Sequence, residues 1–127
     1  MNKVNLQSDI AKAKGLGSGH QGTAHFIHQR LTALALIPLV LWFCFSLVSL
    51  PNMDYNSIIQ WIQMPINTVL LMLIVAAAFY HLQLGLQVVI EDYVSSYPIK
   101  LLSIILTNFA CFFLAILGLY SILKISL

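Results

Sequence analysis

The sequence predicts an all-α membrane protein with three transmembrane helices and a short interfacial helix before the second. Two observations carry that expectation. The 127 residues are 60% hydrophobic and 8% charged, with a mean hydropathy of +0.90, whereas a soluble domain carries about 25% charged residues. The charges are also gathered at intervals: none lies between Arg30 and Asp54, between Asp54 and Glu91, or between Lys100 and Lys124, leaving gaps of 23, 36 and 23 residues. A bilayer span needs about 20. A soluble enzyme, a secreted disulfide scaffold and a disordered linker are thereby excluded.

The elements follow in order. Residues 1–24 are polar and rich in glycine, with Lys3, Asp9, Lys12 and Lys14, and are expected as an extended or irregular segment with no apolar core of a signal peptide. A three-helix membrane domain over 25–127 follows, with spans at about 27–50, 65–90 and 99–123. Pro38 lies inside the first span, where membranes tolerate it, and Pro51 and Asn52 stop that helix. The second uncharged gap is too long for one straight helix, since its 36 residues would reach about 54 Å against a hydrocarbon core of roughly 30 Å. Pro65 divides it, leaving NSIIQWIQ (56–63) as an interfacial helix with Trp61 at headgroup level. Pro98 starts the third span and Lys124 closes it.

Charge gives the orientation. Lys3, Lys12, Lys14 and Arg30 stand on the N-terminal side of the first span, while the loop after it has no basic residue. The positive-inside rule then places the N-terminus and the 91–98 loop in the cytoplasm, or in the matrix of a mitochondrion. A net charge of +2 without a basic run argues for lipid and against nucleic acid as the surroundings. Cys44 and Cys111 lie in apolar runs without ligand spacing and read as membrane-buried thiols.

Chemistry concentrates in two places. His81, in AAAFYHLQLGLQVVIEDY, stands eleven residues before Asp92, roughly 16 Å along a helix from its charged end and so near the bilayer midplane. An ionisable group at that depth is a site candidate by default, and imidazole is a common ligand of metal and haem iron. Ala77, Ala78, Gly85 and Val88 fall near it on the helical wheel and leave room for a flat macrocycle; the same pattern also suits helix packing, with His81 bonded across to a neighbour. Asp92 returns to that face at the membrane surface with Tyr93 beside it, where the pair suits either a quinone head group or a polar helix end. At the start of the first span, GTAHFIHQRLTA sets Arg30 for a bidentate acidic partner or for lipid phosphate. His25 and His28 lack a third ligand, and His20 has no role. One deep histidine per chain means that a bis-histidine haem takes its second ligand from another subunit.

HLQLGLQVVIEDYV resembles the second-helix signature of the succinate dehydrogenase hydrophobic membrane anchor, the D subunit of respiratory complex II. The pattern is a histidine, a glycine four residues on, a Gln-Val pair and an Asp-Tyr pair, here His81, Gly85, Gln87, Val88, Asp92 and Tyr93. HFIHQRLTALALIP resembles the family's first-helix start in its alphaproteobacterial and mitochondrial style. The resemblance implies that His81 is an axial ligand of haem b and so of its iron, with Gly85 giving it room and the other ligand coming from the cytochrome b (C) subunit. It implies Tyr93 and Asp92 at the ubiquinone pocket and Arg30 near the haem propionates. It also implies iron–sulfur and flavoprotein partners that oxidise succinate, an inner-membrane location, and a role for this chain as a non-catalytic subunit in the respiratory chain and tricarboxylic acid cycle. Two other functions stay open on the residues alone: a subunit of a different b-type cytochrome or quinone oxidoreductase, and a non-redox membrane scaffold.

Overall fold

A computed structural model describes residues 20–127, with side chains from Gly22 onward. Four helices occupy them: α1 (His20–Val48), α2 (Tyr55–Gln63), α3 (Pro65–Tyr93) and α4 (Tyr97–Ser126). The polar N-terminal segment expected over 1–24 lies outside the described residues as far as 19. Residues 20–24 belong to α1, so the helix starts earlier than the apolar pattern suggests. A single glycine, Gly22, costs a helix only about 1 kcal/mol, which the turns that follow readily offset.

Three helices are long and apolar enough to cross a membrane: Gly22–Val48, Pro65–Tyr93 and Tyr97–Ser126, of 27, 29 and 30 residues. At 1.5 Å per residue each exceeds a hydrocarbon core of roughly 30 Å and extends into the headgroup layers. The interfacial helix expected at 56–63 is α2, and one residue separates it from α3. That residue, Met64, is extended at φ −65° and ψ 123°, because the pyrrolidine ring of Pro65 disfavours the helical region for the residue before it. Pro65 then opens α3 at a position whose N–H has no helical acceptor in any case. In α1, Pro38 stands mid-helix without ending it.

The helices run up, down and up, with α3 between the other two spans. It packs on α1 along one side and more extensively on α4 along the other, while α1 and α4 do not pack together. Gly118 of α4 permits the closer of these approaches: a β-carbon there would stand 3.1 Å from Val75 Cγ1. Among the described hydrophobic side chains only Trp61, Leu84 and Cys111 are buried. The molecule therefore has no core sufficient for water, and its apolar surface belongs in lipid or against other subunits. Cys44 is exposed, Cys111 is buried, and both thiols are free.

One end, which carries α2, is closely fitted. Trp61 stacks on Trp42 at 5.8 Å between ring centroids and donates its indole N–H to Ser46 Oγ at 2.8 Å. Asn67 and Thr68, both buried, reach back across the Met64 break to Trp61 O and Ile62 O at 2.8 and 2.6 Å. Ser126 at the end of α4 lies 3.0 Å from Thr68 Oγ1. Because the Thr68 proton goes to Ile62 O, Ser126 donates.

Candidate functional site

His81 sits in the middle third of α3, facing α1. Its Nδ1 lies 3.0 Å from Thr32 Oγ1, a residue equally central in α1. The Thr32 hydroxyl also lies 2.9 Å from His28 O and 3.0 Å from Gln29 O, the usual bond of a helical threonine to the preceding turn. The other ring nitrogen, Nε2, has no partner among the described residues. His81 forms the polar edge of an open depression of about 420 Å³, whose remaining lining is Ala33, Leu36, Ile37, Val40 and Leu41. An imidazole nitrogen without a partner beside an apolar hollow is what a flat, mostly apolar metal macrocycle requires.

The hollow is walled by α1, which the sequence pattern did not suggest. The alanines, glycine and valine of α3 expected to make room are not part of this lining, which comes from Ala33 and the aliphatic residues above it. Gly85 stands toward α1 one turn beyond His81, where an added β-carbon would meet only Gln29 Nε2, at 3.9 Å. That is ordinary contact, so nothing within the chain demands glycine there.

Arg30 precedes Ala33 by three residues and Ile37 by seven, which puts it on the same stripe of α1, one turn toward the N-terminal end. Its guanidinium lies 5.1 Å from the centroid of the Phe26 ring. It has no carboxylate partner among the described residues, so its charge is available to an acidic group at the mouth of the hollow. His25 and His28 do not act as a pair. His28 Nδ1 lies 3.0 Å from Tyr80 Oη, whereas His25 Nε2 is buried without a hydrogen bond. Among the described residues no three His, Cys, Asp or Glu side chains come together as a metal site.

Asp92 and Tyr93 end α3 at the end of the molecule where α1 begins. Both are exposed, Tyr93 to 85%, and the described residues build no wall around them. The nearby turn into α4 is tied by Lys100, whose ammonium donates to Glu91 O at 2.9 Å.

Sequence reasoning missed two features. Thr32 was one hydroxyl in an apolar run; its signal was its depth, since antiparallel spans bring the middles of α1 and α3 together. The other is a line of amides on the opposite side of α3. Gln83 donates to Asn108 Oδ1 of α4 at 2.9 Å, and Gln87 donates to Glu91 Oε1 at 2.8 Å. Asn108 pairs with Gln83 because neither amide can find water in the bilayer.

The chain matches the family described as succinate dehydrogenase/fumarate reductase transmembrane subunit over residues 5–123. It is 41% identical over 90 residues to a succinate dehydrogenase hydrophobic membrane anchor subunit of Rickettsia bellii, covering 71% of this chain and 72% of that protein. It is 35% identical over 107 residues to the protein of the same name in Rickettsia conorii, covering 84% and 85%. The corresponding protein of Rickettsia felis is 34% identical over 106 residues, covering 84% of each. No solved structure matches.

Proposed function

The chain belongs to the succinate dehydrogenase/fumarate reductase transmembrane subunit family, and from that premise we propose that it is the hydrophobic membrane anchor of a succinate:ubiquinone oxidoreductase. As an anchor it is a non-catalytic subunit: succinate is oxidised on flavoprotein and iron–sulfur partners, and electrons enter the membrane where this chain and a cytochrome b subunit meet. The observation that carries the site is His81, the one polar group lining an apolar hollow, with one ring nitrogen tied to Thr32 and the other free.

On this proposal His81 would hold the iron of a haem b through Nε2, and the cytochrome b subunit would share the group. Gly85, one turn beyond His81, adds no side chain beside the imidazole, which suits a broad group there. Arg30 offers a guanidinium without a carboxylate partner among the described residues and would pair with a propionate, which suits its planar fork of donors. Haem supplies one-electron redox chemistry when bound. Tyr93 donates its phenolic proton to a carbonyl of ubiquinone, and Asp92 beside it holds a carboxylate at the same surface. The partner subunits supply the remaining walls, consistent with how exposed both residues are here. The basic residues Lys3, Lys12, Lys14 and Arg30 support placing this end in the bacterial cytoplasm or the mitochondrial matrix.

A reduced-minus-oxidised visible spectrum tests the proposal, taken on the complex captured through a tag on this chain, with succinate and then dithionite as reductants. The expected result is a b-type signal elicited by succinate and lost in His81→Ala. A haem that only dithionite reduces, with no succinate-oxidising subunits captured, assigns the chain to another quinone oxidoreductase. No haem, or a full wild-type spectrum in His81→Ala, removes the ligand role.

A further inference from the structure

We propose that Thr32 is the positioning residue of His81, fixing which ring nitrogen faces the hollow and carries no proton. The inference rests on the haem assignment above and goes beyond it, because it names the group on this chain that prepares the ligand.

Three possible partners surround one hydroxyl. Thr32 Oγ1 lies 2.9 Å from His28 O, 3.0 Å from Gln29 O and 3.0 Å from His81 Nδ1. If the hydroxyl donated to Nδ1, both carbonyl contacts would set oxygen lone pairs against each other without a proton between them. If it donates to the carbonyls of its own helix, its lone pairs face Nδ1, and the bond to His81 forms only when Nδ1 carries the proton. The second arrangement satisfies every group, so Nδ1 is N–H and Nε2 is the bare nitrogen. A neutral imidazole binds metal through its unprotonated nitrogen, and a hydrogen bond accepted from the other N–H orients the ring and makes the ligand more basic. The main chain of α1 thus sets the tautomer of a side chain on α3, through one hydroxyl inside the apolar span, where water does not compete. Serine would serve as well as threonine; valine, which has nearly the same shape, would not.

The test compares wild type, Thr32→Val, Thr32→Ser and His81→Ala in the whole complex captured through this chain. The readouts are haem content, haem midpoint potential and the low-spin electron paramagnetic resonance signal. The expected result is that Thr32→Val binds haem at least ~10-fold more weakly, the usual loss for a residue supporting a metal ligand. What haem remains has a raised midpoint potential, because a less basic ligand favours ferric iron less, and a shifted g-value, because the ring is free to turn. Thr32→Ser is expected to behave as wild type. Should Thr32→Val not assemble, Thr32→Ala removes the same hydroxyl without the extra methyl and carries the same comparison. Unchanged haem content, potential and g-value in Thr32→Val, while His81→Ala loses the haem, overturn the role of Thr32 and leave the ligand in place. A wild-type complex without haem, or one whose spectrum survives His81→Ala, overturns the ligand and this inference with it.

Discussion

The two ends of this molecule are built on different terms. At the end carrying α2, every conspicuous polar group is answered from within the chain: Trp61 by Ser46, Asn67 and Thr68 by carbonyls across the Met64 break, and Ser126 by Thr68. Toward the other end and among the described residues, Arg30 has only an aromatic ring and His25 Nε2 is buried without a partner, while Asp92 and Tyr93 stand exposed. The difference separates what the chain needs in order to fold from what it offers to an assembly. Polar groups in or near a bilayer persist only when satisfied, so the first end closes the fold. The second end holds groups without partners among the described residues, and it lies on the side where the proposed redox work occurs.

Trp61→Ala is the strongest way to break that comparison. The change deletes the stack on Trp42 and the bond to Ser46, leaving a cavity beneath α2. Removing a packed tryptophan costs on the order of 3 kcal/mol. Unfolding in detergent micelles, followed by the fluorescence of the remaining Trp42, is expected to show a loss of that size. A loss under about 1 kcal/mol would mean that surrounding lipid, and not the chain's own contacts, holds that end.

Tyr93→Phe is the opposite experiment. The side chain is 85% exposed, so its hydroxyl contributes nothing to the fold, and unfolding is expected to match wild type. Quinone-reductase kcat/KM in the assembled complex is expected to fall roughly three- to tenfold, the worth of one hydrogen bond lost in the transition state. Equal activity with equal stability would strip Tyr93 of its proposed contact.

The contrast also explains what could be seen in the sequence. Spans are visible because lipid imposes one simple demand, length without charge, and the break at Pro65 is visible because proline restricts its neighbour in any context. His81 stood out for the same reason: an ionisable group at that depth is costly wherever it occurs. The wall of its hollow was not legible. Whether small residues of α3 or aliphatic residues of α1 enclose an imidazole depends on how two uniformly apolar helices are rotated against one another, and such helices carry no hydrophobic face to report it. Thr32 was hidden likewise, since its importance comes from a neighbour 49 positions away. The amphipathic α2, by contrast, displays its buried side in its own pattern, with Ile58, Trp61 and Ile62 turned inward and Gln60 and Gln63 outward.

The smallest expected effect sharpens the comparison at the first end, through acid. Asp54 precedes α2 as its N-cap residue, and the Ser57 hydroxyl beside it holds its carboxyl below the ordinary value of 3.8. A carboxyl whose native pKa is lowered stabilises the fold fully above its unfolded value, and that contribution is lost as pH falls through the native one. Because the group is exposed, the effect is slight and screened by salt. Asparagine caps a helix about as well as aspartate but does not titrate, so Asp54→Asn isolates the charge. Melting the two proteins side by side from neutral pH to about pH 3 should find the wild type slightly the more stable at neutral pH. The wild type should then lose slightly more stability than the variant on acidification. Parallel curves across the whole range would show that the ionised carboxylate plays no part in fastening α2, leaving the Trp61 stack and the Asn67 and Thr68 bonds to hold it.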